Sequence, residues 1–292
     1  MLFEGFDARD VATPRGTVHA MVAGDGPPVL LLHGYPETHL MWHAVAPALA
    51  ERFSVVAADL PGYGDSFRPP VGDDHAAHSK RALAADLVAA MGELGHGSFA
   101  VAGHDRGGRV AYRMALDHPD AVSALAVLDI VPTGEIWSRA NDQFALGYWH
   151  WPFLAQPAPL PERLILADPD AWWIVAQRMG IKDDYPAEVV EAYRAMLRDP
   201  DSVTAMCEDY RAGATVDRAH DDADRGSRTI ACPVRALWGA YGALPIFYQD
   251  PLDPWRTLAP HATGRGVDGA GHFVPEDEPD EVAADLAEFL GS

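Results

Sequence analysis

Through the first 132 residues, short apolar runs alternate with longer amphipathic stretches. Val18 to Val22, Pro28 to Leu32, Phe53 to Ala58, Phe99 to Gly103 and Ala124 to Leu128 each read as a strand. The Pro28 to Leu32 run is wholly apolar, as expected of a strand covered on both faces. Between Lys80 and Leu94, Leu83, Leu87, Met91 and Leu94 recur at helical spacing, and a second helix is predicted to open at Arg106. After Pro132 the alternation stops, and the chain to Arg228 reads as helices and Pro-rich loops. Pro186 opens one helix, with Val189, Val190, Tyr193, Met196 and Leu197 on a face, and a second carries Val203, Met206, Cys207 and Tyr210. The acidic stretch Asp217 to Arg225, with His220 inside it, reads as a solvated loop rather than a metal site. Strands return at Pro233 to Trp238 and Arg265 to Val267, and a helix from Pro279 to Leu290 ends the pattern. The pattern predicts an α/β fold: a mostly parallel sheet flanked by helices, built from 1–132 and 229–292, with an inserted helical cap over 133–228. Ligands of such sheets sit beyond the carboxyl ends of the strands.

Composition narrows the partners. The 292 residues are 48% hydrophobic, enough for a large core, and 22 Lys plus Arg face 43 Asp plus Glu for a net charge of −21. Such a balance disfavours nucleic acid and anionic lipid, and it repels a small anion unless the site holds a local excess of positive charge. Two cysteines, Cys207 and Cys232, form no CxxC pair, so a disulfide framework and a structural zinc site are not expected and a reducing cytoplasm is. The start, Met1 to Asp7, lacks the basic and apolar regions of a signal peptide, and no apolar run approaches the roughly 18 residues of a membrane span.

The chemistry gathers at strand ends. Gly103-His104-Asp105-Arg106-Gly107-Gly108 places a carboxylate among small residues where a strand meets a helix, the spacing of a nucleophile elbow. Taken alone it fits an Asp N-cap equally well. A carboxylate is ionised near neutral pH and attacks carbon without a base. Asp129 ends the next strand, and His272 lies in the turn Gly269-Ala270-Gly271-His272-Phe273. His272, oriented by Asp129, can deprotonate a water that hydrolyses the ester on Asp105. Gly239 to Ala243, after the Pro233 strand, offers no carboxylate, so Asp129 is preferred as the acid over Asp250 and Asp253. His33-Gly34-Tyr35-Pro36 fits a loop that gives a backbone N–H to an oxyanion hole, shared with the N–H of Arg106. Arg106 and Arg109, three apart on the first helical turn, can point over one pocket and hold a carboxylate.

These motifs together resemble the α/β-hydrolase superfamily over essentially the whole chain, and Asp105 narrows the likeness to dehalogenases and epoxide hydrolases. Gly103 to Arg109 is similar to the haloacetate dehalogenase signature, a family that includes fluoroacetate dehalogenases. Ser79-Lys80-Arg81, Leu128 to Thr133, Trp149-His150-Trp151, Phe153 to Pro157, Cys207 to Arg211 and Gly271-His272-Phe273 match as well. The resemblance implies a triad of Asp105, Asp129 and His272, a carboxylate clamp of Arg106 and Arg109, and halide ligands His150, Trp151 and Tyr210. It implies a short 2-haloacid as substrate, no metal or organic cofactor, and a homodimer. Tyr35 stands where the family usually has Phe, beside the pocket, and His78 where Tyr commonly precedes Ser-Lys-Arg. Epoxide hydrolysis by the same Asp105 chemistry is the main alternative, with Tyr148, Tyr185, Tyr193 and Tyr210 as proton donors; a non-catalytic ligand-binding protein on this fold is another.

Overall fold

A computed structural model describes residues 2–182 and 184–291. Eight strands form one sheet: β1 (Asp7–Ala12), β2 (Thr17–Ala23), β3 (Pro28–Leu32), β4 (Ser54–Ala58), β5 (Phe99–His104), β6 (Val122–Leu128), β7 (Val234–Gly239) and β8 (Thr263–Val267). Their order is β1-β2-β4-β3-β5-β6-β7-β8. β1 and β2 pair antiparallel, β2 lies antiparallel to β4, and all other neighbours are parallel. Apolar runs build the centre because both faces are covered: Val29, Leu30, Leu31 and Leu32, like Leu125 to Leu128, are buried.

β1 has no counterpart among the predicted strands. Its sequence, Asp-Ala-Arg-Asp-Val-Ala, buries only Val11, so no apolar run announces it; charged residues on an edge strand also discourage pairing with other chains. The other predicted strands fall within two residues of the observed ends. The helix expected at Arg106 begins at Asp105 and runs to Asp117.

Between β6 and β7 the described residues form helices and connecting turns, with no strand. Two follow the expected faces, Ala187–Arg198 and Pro200–Ala214. The acidic stretch is a correction: it is not a solvated loop but the helix Val216–Asp224, which buries Asp217, Asp221 and Asp224. Arg113 meets Asp221 at 3.1 Å and Asp224 at 2.6 Å, and the Lys80 backbone N–H donates to Asp217 at 2.8 Å. Buried cations from the sheet-flanking helices have turned acid-rich sequence inward.

Candidate active site

Register brings the site together. His104 of β5 lies beside Leu128 of β6, so the next residues, Asp105 and Asp129, leave adjacent strands at one level. Leu32 of β3 pairs with Gly103, which delivers the His33 to Pro36 loop to the same place. Asp105 and Asp129 both have positive φ, 39° and 50°, a backbone strain of about 1–2 kcal/mol each for L residues. The elbow needs its glycines, since a Cβ on Gly103 would lie 2.6 Å from the Gly107 backbone and one on Gly107 2.4 Å from the His33 carbonyl.

The Tyr35 N–H donates to Asp105 Oδ2 at 3.1 Å, which leaves Oδ1 as the freer oxygen. His272 Nδ1 lies 2.6 Å from Asp129 Oδ2, and Gly239 N donates to Asp129 Oδ1. Burial pushes the Asp105 carboxyl up, but His272, Arg106 and Arg109 more than offset it and hold it below its ordinary value, so the carboxylate is charged. Asp250 and Asp253 lie elsewhere, paired with Arg256 and Arg139.

The two arginines are fully enclosed and differently committed. Arg106 Nε donates to Asp209 Oδ2 at 2.6 Å and Nη2 to the Asp209 carbonyl at 2.8 Å. Arg109 Nη1 donates to the Val131 carbonyl and the Thr133 hydroxyl. Arg106 Nη1 and Arg109 Nε are buried without a partner, the latter 3.9 Å from Asp105 Oδ1. The Arg106 guanidinium is therefore not free to form a fork by itself. Both lie over the Trp151 ring, Arg109 at 4.5 Å and Arg106 at 5.4 Å, and Arg106 also over Tyr210 at 4.2 Å.

His150 and Trp151 come from the short helix His150–Leu154, and Tyr210 from Pro200–Ala214. The Tyr210 ring stands 5.8 Å from Trp151 and 6.1 Å from His150, and its buried hydroxyl has no partner. Burial lowers the His150 pKa to about 3, so its ring is neutral. Asp105, Arg109, Asp129, Tyr148, His150, Trp151 and His272 enclose a cavity of about 10 Å³, room for one water-sized particle. The Tyr35 hydroxyl does not reach it. That oxygen accepts from Trp172 Nε1 at 2.6 Å, while the ring packs edge-on to Tyr210. His78 is likewise structural, bonded to the Pro69 carbonyl.

Four supporting residues, Lys80, Asp209, His104 and Glu37, escaped the sequence reading. Asp209 joins Arg106 to Tyr63 and Lys80, and His104 joins Glu37 at 2.8 Å to the carbonyl of His272, also at 2.8 Å. Lys80 and Asp209 sit inside matched motifs, which was the available signal; Glu37 one residue beyond the His33 to Pro36 loop gave none. Among the described residues, one group outside the site, His19, His39 and Asp59, has metal-ligand proximity. Its Asp59 already accepts from the His39 backbone, the His39 ring and the Asp65 N–H.

An elbow carboxylate, an Asp–His pair and the His33 to Pro36 loop on a mostly parallel sheet agree with comparison to known proteins, since residues 27–279 match the alpha/beta hydrolase fold family. The chain belongs to that family. Fluoroacetate dehalogenase of Burkholderia sp is 42% identical to this hydrolase over 99% of the chain and 95% of the relative. Soluble epoxide hydrolase of Corynebacterium sp. (strain C12) is 33% identical, over 94% and 93%. A solved Pseudomonas aeruginosa structure, provisionally named an epoxide hydrolase, is 48% identical with a TM-score of 0.92 over 100% of this hydrolase and 97% of that chain. Names of the relatives thus divide between fluoroacetate dehalogenase and epoxide hydrolase.

Proposed function

We propose that this hydrolase is a haloacetate dehalogenase, converting fluoroacetate or a similar short 2-haloacid to glycolate and halide. The pair of buried guanidinium nitrogens without partners carries the reading. Arg106 Nη1 and Arg109 Nε are unsatisfied donors beside a charged nucleophile, and a substrate carboxylate supplies the charged acceptor they lack whereas an uncharged epoxide does not.

In this reading the carboxylate docks between Arg106 and Arg109. Asp105 Oδ1 attacks the α-carbon from the side opposite the halogen, the carbon–halogen bond breaks, and the halide takes the electron pair into the N–H and O–H donors of His150, Trp151 and Tyr210. His272, aligned by Asp129, takes a proton from water, whose oxygen adds to the ester carbonyl of Asp105. The tetrahedral oxyanion is received by the Tyr35 N–H and the backbone N–H of Arg106. Collapse expels the alkoxide, which takes the proton held by His272 and leaves as glycolate, and the second water proton, left on Asp105, is lost to solvent with the halide, restoring the carboxylate. The cap, 133–228, supplies the halide ligands, while 1–132 and 229–292 supply the rest. The resemblance supports a homodimer, and two free cysteines support a reducing cytoplasm. No helix of the described residues is long and apolar enough to cross a membrane.

A second reading, epoxide hydrolysis, draws on the unpartnered Tyr210 hydroxyl and on Tyr148 in the cavity wall. Tyr185 and Tyr193 do not serve it, being bonded to Asp277 and Glu276. Halide release from fluoroacetate and chloroacetate, set against opening of a styrene-type epoxide, decides between them. We expect halide release that Asp105→Asn abolishes; epoxide opening without halide release would reverse the assignment.

A further inference from the structure

The catalytic cavity is small and lined mostly by buried side chains, so an entering substrate must displace part of its wall. Two larger cavities adjoin it. One, of about 470 Å³, shares only Ile136 with the catalytic lining. Asp250 and Asp253 line it, and its cation, Arg139, is already held by Glu135 at 2.9 Å and Asp253 at 2.7 Å. An anion meets no spare positive charge there.

The other cavity, of about 320 Å³, shares Tyr148, His150, Met179 and His272 with the catalytic lining. Its described lining contains no carboxylate and one full cation, Arg178, on the last turn of the helix Pro169–Met179. Arg178 is exposed and has no hydrogen-bond or ion-pair partner among the described residues. Met179, the shared wall beside it, is an unbranched side chain that changes rotamer readily, and the chain turns at Gly180 with φ 124°.

We propose that this second cavity is the antechamber for the anionic substrate, with Arg178 the guanidinium that binds its carboxylate before it passes to Arg106 and Arg109. The proposal rests on the haloacid reading. With a net charge of −21, the molecule as a whole repels a haloacid. Charges beyond about 10 Å are largely screened at 0.1 M salt, however, so a cation at the chosen mouth governs capture. An exposed guanidinium holds a carboxylate weakly, which lets glycolate leave by the same route.

The test is kcat/KM for chloroacetate at low ionic strength in the wild type, Arg178→Lys, Arg178→Gln and Arg178→Glu. Arg163→Glu is the control: it is an exposed position on the helix Leu160–Ala167, away from both cavities, and changes net charge equally. Expected are a loss of about tenfold in kcat/KM for Arg178→Glu, carried by KM, a smaller loss for Gln, and near-rescue by Lys. The gap should narrow at about 0.5 M salt. A wild type that turns over while Arg178→Glu matches Arg163→Glu, or loses kcat instead, overturns the antechamber alone. No halide release by the wild type removes the haloacid reading, and the antechamber with it.

Discussion

At His272, the two halves of the proposed reaction separate. Asp105 is ionised within its cluster of cations and attacks without help, whereas the ester it forms needs a base to activate water. His272→Gln should therefore accumulate enzyme heavier by one carboxymethyl group after incubation with chloroacetate, while steady-state turnover falls about 10²–10⁴-fold. Intact-protein mass spectrometry reads the adduct, and absence of the adduct with turnover lost would move His272 into the first step. The residues proposed as triad and halide ligands could be named from the sequence because each lies at a strand end or in a distinctive motif. What Arg106 does was only half legible. Its place after the nucleophile shows in the sequence, but the tie of Nε and Nη2 to Asp209 depends on a partner more than a hundred residues away. Asp209 itself is pushed up by burial yet held well below the usual carboxylate range by Arg106 and Lys80, a balance that no local pattern encodes.

The helix Val216–Asp224 shows why an element can be misread from composition. Acid-rich sequence ordinarily stays in water, but here Asp221 accepts from the Tyr112 hydroxyl and the Gly134 N–H, each at 2.8 Å, and pairs with Arg113. These bonds fasten the helices between β6 and β7 to the Asp105–Asp117 helix, whose first residue is the proposed nucleophile. Removing the carboxylate strands three buried donors at once. Asp221→Ala should cost about 3 kcal/mol or more of stability in urea unfolding, whereas Asp222→Ala, an exposed neighbour on the same helix, should stay within about 0.5 kcal/mol. Equal effects would mean that this helix contributes no buried docking. By contrast the central strands needed no partner to be read, because burial on both faces writes itself as a continuous apolar run; β1, buried at one residue, left no such mark.

For the molecule as a whole, charge and stability meet at His104. Burial lowers the affinity of its ring for a proton, but the adjacent Glu37 carboxylate outweighs burial and raises its pKa to about 9. The protonated ring then donates to Glu37 on one side and to the His272 carbonyl on the other. In the unfolded chain a histidine titrates near 6.5. A folded pKa above the unfolded one means that the native state binds the proton more tightly, so the stabilisation is complete below about pH 6.5 and is lost as pH rises through about 9. The difference corresponds to something on the order of 3 kcal/mol. Urea unfolding at about pH 6 and about pH 10 should show the wild type losing more stability than His104→Gln across that window. The many surface carboxylates of a chain at −21 stay ionised throughout it in both proteins and cancel from the comparison. Equal losses in the two would place the proton elsewhere and leave the Glu37–His104–His272 chain as a set of neutral hydrogen bonds.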